Sequence, residues 1–279
     1  MVTIRAFLAV AAVKNRALHK MDVHNAFLHG DLDEEVYMKL PPGFNVCSSG
    51  LVCRLKKSLY DYSLFTLHQG PIQLNVLVYV DDLIISGNDA SDVDHFNAYL
   101  HECFHMKDLG VLKYFLGIEV ARNSKGIFLC QRKYTLDIIV EAGLLGSRPV
   151  CFPIEQNHTL ALGKGPLLAD PERYRRLVGH LISLSFTHPN FSYTVHILAQ
   201  FMQHPRRNHW DAALRTVRYL KGFLGQGILL RTDCELSLTG WCDSDWATCP
   251  LTRRSLTGWI VFLDSSLISW KTKKQHTMS

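Results

Sequence analysis

Apolar and polar positions form their clearest pattern between residues 74 and 87, where two β-branched apolar runs flank the adjacent aspartates Asp81 and Asp82. Valine, isoleucine and tyrosine at this density favour strands, and a short polar break between two such runs is typical of a tight hairpin. The pattern therefore predicts two buried strands joined by a turn that carries both aspartates. A solvated turn without chemistry is the alternative, because aspartate is common in turns.

The rest of the chain alternates between helical and strand-like patterns. Apolar residues at helical spacing predict helices over residues 4–13, 89–104, 131–142, 173–186, 192–202 and 209–222. Alternating or β-branched runs predict strands at Asp22 and over 36–40, 114–121, 126–130, 236–242, 255–263 and 267–270. Asn208 is expected to cap the last helix. The glycine- and proline-rich segment 145–171 is expected to be a linker, and the fold class is predicted to be α+β.

Composition narrows the class of protein. The chain has 279 residues, 47% of them hydrophobic and 20% charged, which suits a globular protein of two or three units. Residues 1–14 are expected to form a helix and not a signal peptide, and no apolar run is long enough to cross a membrane, so an intracellular location is expected. The net charge of +5 is compatible with a polyanionic partner.

The eight cysteines occur singly and form no Cys-x-x-Cys pair. This argues against a zinc site or a disulfide framework and favours reduced thiols. His101, Cys103 and His105 lie close together, but their spacing matches no common zinc pattern.

A third carboxylate, Asp22, follows apolar residues on a short predicted strand far upstream of Asp81 and Asp82. Adjacent carboxylates repel one another, and burial strengthens the repulsion. A divalent cation removes it, and hard oxygen ligands suit Mg²⁺. Three aspartates at two strand ends therefore suggest a two-metal centre for in-line phosphoryl or nucleotidyl transfer.

Seven motifs in a fixed order resemble the reverse transcriptase of Ty1/copia-type retrotransposons. Their amino-acid sequences most resemble those of plant copia-type Pol polyproteins. The resemblance covers nearly the whole chain. It is carried by residues 21–32, by Tyr79-Val80-Asp81-Asp82, and by residues 107–110, 114–120, 131–134, 174–179 and 269–271.

The resemblance implies an α+β architecture with three parts. Residues 1–130 would be a partial fingers and palm region, with an antiparallel sheet plus helices. Residues 131–232 would be a helical thumb-like segment, and residues 233–279 the truncated start of a ribonuclease H-like domain. The implied activity is RNA-directed DNA polymerisation with Mg²⁺ or Mn²⁺. The implied partners are an RNA template, a DNA primer, dNTPs and the remainder of a Pol polyprotein.

The resemblance also assigns roles at the polymerase centre. Asp22, Asp81 and Asp82 would be the catalytic metal ligands. Phe27 would exclude the ribose 2′-hydroxyl and so select deoxynucleotides, with an ordinary core phenylalanine as the alternative. Lys107 would lie near the nucleotide phosphates, with an exposed lysine as the alternative.

Further roles concern the nucleic acid. Phe115, Leu116 and Gly117 match the hairpin that grips the primer end, with a plain turn glycine as the alternative. Basic residues on or beside the later helices would hold the template–primer duplex, with solvated surface charges as the alternative: Arg175, Arg176, Arg206, Arg207, Arg215, Arg218 and Lys221. Asp243 matches the first catalytic aspartate of ribonuclease H, and Asp245 is the second choice.

The chain departs from the family pattern after Tyr60. There the family continues into a helix that packs against the incoming nucleotide, whereas Asp61 and Tyr62 resemble a later segment. We therefore expect an internal deletion of a few tens of residues between Leu59 and Tyr62. His188 and Asn190 stand where the family has an arginine and an aspartate.

The ribonuclease H-like part stops at Ser279, before the helix that carries the catalytic glutamate. It is therefore expected to be inert and to expose apolar surface. The rival interpretation of the whole chain is a catalytically dead retrotransposon remnant that at most binds nucleic acid.

Overall fold

The computed structural model is an α+β protein built from antiparallel sheets and six α-helices in the residues that it describes. Those residues are 2–22, 37–39, 52–54, 56–57, 61, 63–80, 82–104, 106–156, 158–163, 165–246 and 252–276. None of the described helices combines the length and apolar composition that a membrane span requires.

The helices are α1 (Val2–Val13), α2 (Ala90–Phe104), α3 (Arg132–Glu141), α4 (Pro171–Leu184), α5 (Ser192–Ala199) and α6 (Arg207–Lys221). The strands before α2 are β1 (Ala17–Asp22), β2 (Tyr37–Lys39), β3 (Val52–Arg54), β4 (Lys56–Lys57), β5 (Leu64–Gln69), β6 (Ile72–Tyr79) and β7 (Asp82–Gly87). The strands after it are β8 (Lys107–Val111), β9 (Tyr114–Phe115), β10 (Ile118–Asn123), β11 (Gly126–Cys130), β12 (Gly227–Arg231), β13 (Leu238–Ser244), β14 (Leu256–Leu263) and β15 (Ser266–Lys274).

The chain divides into two compact units. The first comprises residues 1–115 with 122–127 and 231–236, and its centre is a six-stranded sheet in the order β4-β5-β6-β7-β1-β8. Every neighbouring pair in this sheet is antiparallel. The predicted hairpin forms its middle, since β6 and β7 pair from Leu74 opposite Gly87 to Tyr79 opposite Asp82.

Strand β7 is buried on both faces, which explains its continuous apolar run. Leu83 and Ile85 share a hydrophobic cluster with Val93 and Phe96 of α2. Because side chains alternate along a strand, Ile84 faces the other side of the sheet, and it too is fully buried. Burial on both faces favours β-branched residues at successive positions.

The second unit comprises residues 116–121, 128–230 and 237–279, and its core lies among helices α3 to α6. Tyr174 of α4 is fully buried, and its hydroxyl donates to the Leu198 carbonyl at 2.8 Å. Helix α4 begins after Asp170, whose carboxylate accepts from the backbone N–H groups of Glu172 and Arg173. This is a side-chain N-cap, followed by proline at the first helical position.

The segment 237–276 adds a three-stranded antiparallel sheet in the order β13-β14-β15. Strand β15 packs on α5, where the Trp270 indole N–H donates to the Ser192 hydroxyl at 3.1 Å. Strand β13 is exposed along its length, with Leu238 70% and Trp241 67% exposed. The expectation of exposed apolar surface is met in this strand.

Two expectations from the sequence need correction, and several strands had not been predicted. The predicted strand 114–121 is interrupted, because Leu116 and Gly117 adopt positive φ angles of 49° and 78° between β9 and β10. Strands β3, β4, β5, β8 and β12 had not been predicted. Helix α6 begins at Arg207, so Asn208 lies inside its first turn and is not its cap. The N–H of Arg206 donates instead to Nδ1 of His209 at 3.0 Å.

Candidate active site

Val80, in the turn of the β6–β7 hairpin, adopts a backbone conformation that valine disfavours. Only Val80 and Asp81 separate Tyr79 from its strand partner Asp82, and Val80 has a φ of 53°. Two-residue hairpin turns use positive φ at the first central position, but a β-branched residue rarely adopts it. Such strain costs on the order of 1–3 kcal/mol and clusters at functional sites. Val80 is 62% exposed, so burial of its side chain does not compensate.

A row of four directly opposed residues crosses the sheet beside this turn. Tyr79 on β6 is opposite Asp82 on β7, which is opposite Asp22 on β1, which is opposite Lys107 on β8. Directly opposed residues of antiparallel strands have Cα atoms about 4.5–5.5 Å apart and project from the same face. The strand register therefore brings the carboxylates of Asp22 and Asp82 side by side, with Lys107 on the far side of Asp22.

A second lysine neutralises part of this acidic pair. Lys20 lies two residues before Asp22, on the same face of β1, and its Nζ is 2.8 Å from Oδ1 of Asp82. The side chains of Lys20 and Asp82 are only 16% and 20% exposed. Two adjacent carboxylates repel one another, and the ammonium group offsets this repulsion at Asp82.

Phe115 closes one side of this cluster. It is fully buried, and its ring meets that of Tyr79 edge to face with a centroid separation of 6.5 Å. Lys20 Nζ lies 6.0 Å from the Phe115 ring centroid, within cation–π range. Phe115 therefore contacts two members of the acidic site, Lys20 and Tyr79, from the neighbouring strand segment.

Asp22 and Asp82 supply hard oxygen donors on one face, which fits Mg²⁺ or Mn²⁺. The sequence analysis expected aspartates from two strand ends to lie close together, and Asp22 and Asp82 are opposite one another in the sheet. Asp81 and Phe27 lie outside the described residues. Within the described ranges, no group of three or more His, Cys, Asp or Glu side chains is arranged to hold a metal. Of the His101–His105 cluster, His105 also lies outside those ranges.

The other two residues that were predicted to contact the primer form a turn. Leu116 and Gly117 connect β9 to β10 with positive φ at both positions. A Cβ added to Gly117 would meet no atom within 4 Å, so the glycine serves backbone conformation and leaves open space above it. Lys107, predicted beside the nucleotide phosphates, is exposed at the start of β8.

The predicted duplex-binding arginines are engaged within the second unit. On α4, Arg175 Nε donates to the Met202 carbonyl at 2.9 Å, and Arg176 lies 2.8 Å from a Glu141 carboxylate oxygen. On α6, Arg215 pairs with Glu155 at 3.2 Å and Arg218 donates to the Arg148 carbonyl at 3.0 Å. Arg176 remains largely exposed, and ion pairs at such positions are weak enough to be exchanged for phosphate.

The remaining basic residues of the predicted set also have partners. Arg206 donates to the Gly165 carbonyl at 2.8 Å, and Arg207 pairs with Asp211 at 3.2 Å. The Lys221 ammonium donates to the Ser147 carbonyl at 2.6 Å. These bonds anchor the linker before α4 and the two ends of α6.

The ribonuclease H-like candidates lie on the exposed sheet. Asp243 on β13 is opposite Gly258 on β14, and its carboxylate accepts from the Ser244 N–H at 2.9 Å. Asp245 accepts from the Leu256 N–H at 2.6 Å, which ties the end of β13 to the start of β14. Asp245 thus has a structural role in this sheet.

Sequence reasoning missed Lys20 and Tyr79. The available signal for Lys20 was its i−2 spacing from Asp22 on a predicted strand, which places both on one face. Its partner could not be identified without the β1–β7 register. Tyr79 was visible as the last strand residue before the turn, but its place in the row depends on the same register.

Comparisons with known proteins agree with these features. Residues 1–75 and 61–156 match the family described as reverse transcriptase (RNA-dependent DNA polymerase). The chain is 39% identical over 301 residues to the retrovirus-related Pol polyprotein from transposon RE2 of Arabidopsis thaliana, covering 98% of this chain and 21% of that protein. It is 29% identical over 322 residues to the Pol polyprotein from transposon TNT 1-94 of Nicotiana tabacum, covering 100% of this chain and 24% of that protein.

A shorter relative is an uncharacterized mitochondrial protein of Arabidopsis thaliana, 38% identical over 206 residues, with 73% of this chain and 85% of that protein covered. No solved structure matches the chain. The chain spans about a fifth of the length of the Pol polyproteins that it matches. The family match extends over more than half of the chain and includes the strands that bring Asp22 and Asp82 together. The chain therefore belongs to the reverse transcriptase family, in the branch represented by copia-type retrotransposon Pol polyproteins.

Proposed function

We propose that the Asp22–Asp82 row is the polymerase centre of this chain and that its reaction is RNA-directed extension of a DNA primer with dNTPs. The observation that carries the proposal is the direct opposition of Asp22 and Asp82 at the strained Tyr79–Asp82 turn. Family membership supports the reaction class, and the pairing of Asp22 with Asp82 supports this position for the acidic residues.

In this proposal Asp22, Asp81 and Asp82 hold Mg²⁺ or Mn²⁺. When bound, the divalent ions supply activation of the primer hydroxyl and stabilisation of the charge that develops on the leaving phosphate. Lys107 is proposed to attract the nucleotide phosphates, which its exposed position opposite Asp22 supports. Phe115 supports the site from one side. Leu116 and Gly117 are proposed to contact the primer end. Phe27 is proposed to exclude the ribose 2′-hydroxyl.

The three parts predicted from the resemblance extend this proposal to the whole chain. A palm and partial fingers over residues 1–130 are supported by the antiparallel sheet covered by α2. A thumb-like part over residues 131–232 is supported by the cluster of α3 to α6. A ribonuclease H-like start over residues 233–279 is supported only by the antiparallel order of β13 to β15. The remainder of a Pol polyprotein is the proposed context.

A second candidate is a chain that binds template–primer without extending it. The alignment to the RE2 polyprotein has 301 positions and this chain has 279 residues, so at least 22 positions (301 minus 279) of that relative have no counterpart here. The family match is divided into residues 1–75 and 61–156, and this division near residue 61 supports the proposed deletion between Leu59 and Tyr62. Loss of a nucleotide-facing helix would remove much of the positioning on which the rate depends.

Primer extension separates the two candidates. The full chain is incubated with an RNA template, an annealed DNA primer and dNTPs, in Mg²⁺ and separately in Mn²⁺. Incorporation that falls by about a thousandfold or more in Asp22→Asn and in Asp82→Asn supports the polymerase. Asp94→Asn, at an exposed position of α2, is the matched control and should retain full incorporation.

Binding to the same hybrid duplex is measured in parallel at increasing salt. Affinity that falls steeply with salt, together with no incorporation by the unaltered chain, supports the binding candidate. Incorporation that persists in both aspartate variants would refute the proposed centre.

A further inference from the structure

Lys20 is placed to act on the metal site without being one of its ligands. It occupies β1 two residues before Asp22, and its own strand partner on β7 is Ile84, two residues after Asp82. Lys20 and Asp82 are therefore diagonal neighbours on one face of the sheet, within reach of a long side chain. The pairing of β1 with β7 therefore brings the Lys20 ammonium group within reach of the Asp82 carboxylate.

The contact is held more firmly than a surface ion pair. Both side chains are at most one-fifth exposed, and Nζ lies 2.8 Å from Oδ1 of Asp82. The fully buried Phe115 ring lies 6.0 Å from the same Nζ. A part-buried pair is screened less by water and salt than an exposed pair. An aromatic neighbour adds a further attraction for the ammonium group.

We propose that Lys20 is a built-in counter-ion that competes with the divalent cation for Asp82, and that metal binding requires its ammonium group to release Oδ1. The inference rests on the proposed function of the Asp22–Asp82 pair. The Lys20 ammonium and a divalent cation would bind the same carboxylate oxygen, Oδ1 of Asp82. Two positive charges on one oxygen repel each other. Lys20 therefore weakens metal affinity and also keeps the metal-free sheet free of two uncompensated adjacent carboxylates.

The proposal predicts opposite effects of one substitution in the two states. In Lys20→Gln the metal-free protein loses the charge that balances Asp82, so its melting temperature in EDTA should fall. The same variant no longer competes with the cation, so its affinity for Mn²⁺ should rise by about tenfold or more. A lysine that only packs against its neighbours would change stability without changing metal affinity.

Mn²⁺ affinity of the full chain is measured from the signal of free Mn²⁺ in electron paramagnetic resonance, and melting temperature is measured in EDTA and in Mn²⁺. Lys20→Arg keeps the charge and should behave as the unaltered chain does. Lys14→Gln removes the same charge at an exposed position of the same unit and should change neither quantity. Lys20→Met keeps an unbranched side chain without the charge and replaces Lys20→Gln if that variant does not fold.

The failures of the two proposals are distinguishable. Equal Mn²⁺ affinity of the unaltered chain and the neutral Lys20 variant, with loss of binding in Asp22→Asn, overturns the role of Lys20 and leaves the metal site standing. Absence of Mn²⁺ binding in every folded variant overturns both. Tighter binding in the neutral variant with unchanged binding in Lys20→Arg supports the competition.

Discussion

The Cα of Gly227, the first residue of β12, faces the carbonyl oxygen of Leu129 on the neighbouring strand β11 so closely that no side chain fits between them. A Cβ built on Gly227 would lie well inside 3.0 Å of that oxygen and 2.7 Å from Cζ of Phe128. The backbone oxygen cannot turn away as a flexible side chain could. Strand β11 is the hydrogen-bonded neighbour of β12 in their four-stranded sheet, so the close approach lies at this strand pair.

Gly227→Ala is therefore expected to destabilise the protein by about 2 kcal/mol or more, since either the strand pair or the helix that precedes it must shift. Urea unfolding followed by circular dichroism gives the change in free energy. Gly258→Ala on β14 is the matched control, because an added Cβ there meets nothing within 4 Å. Equal stability of the two variants would contradict the close approach.

Val80 is expected to be a net cost to stability. Asparagine tolerates a φ near 53° much better than valine, so Val80→Asn should raise the free energy of unfolding by about 1 kcal/mol. Val111→Asn is the control, because Val111 is equally exposed at 61% but lies in strand β8, where valine is favoured. Stabilisation by both substitutions, or by neither, would count against strain at Val80.

His188 should make the fold sensitive to acid. Its imidazole is almost fully buried, with Nδ1 2.8 Å from the Thr187 hydroxyl, and burial lowers its pKa from 6.5 to about 4. The unfolded chain therefore takes up this proton first as the pH falls. The stability linked to His188 is complete above pH 6.5 and is lost between pH 6.5 and pH 4, by about 3 kcal/mol in all.

In His188→Gln this group cannot titrate, so the slope of unfolding free energy against pH should flatten in that window. The measurement is a series of urea titrations between pH 7 and pH 4, with the exposed His204→Gln as control. An unchanged slope in His188→Gln would show that other groups cause the acid sensitivity.

Much of the first unit follows from local pattern. The apolar runs on either side of Asp81 and Asp82 favour a buried hairpin. In the structure β6 ends at Tyr79 and β7 begins at Asp82, so Asp82 belongs to the strand and not to the turn that was predicted to carry both aspartates. Strand β8 was missed because Asp108 and Gly110 disfavour strands; its pairing to β1 overrides that preference, with a bulge between His19 and Met21. Local propensity loses to tertiary pairing at such positions.

Side-chain contacts between residues far apart in the chain could not be predicted from the sequence. Spacing placed Arg215 and Arg218 on one helix, but it could not show that residues 148–155 would engage both. Likewise, Asn208 is a better capping residue by type than Arg206, yet the His209 ring already satisfies the Arg206 N–H. In each case a partner three to seventy positions away decides the outcome.

The pairing of β1 with β7 has one further consequence. Side chains alternate with a period of two, so a slip of β7 by one residue that brought Leu83 opposite Asp22 would send Asp82 to the other face of the sheet. The packing of Leu83 and Ile85 against α2 opposes this slip, because Asp82 would take the place of an apolar side chain in that cluster and bury its carboxylate there. The apolar residues Leu83 and Ile85 thus fix the strand register that brings Asp22 and Asp82 together.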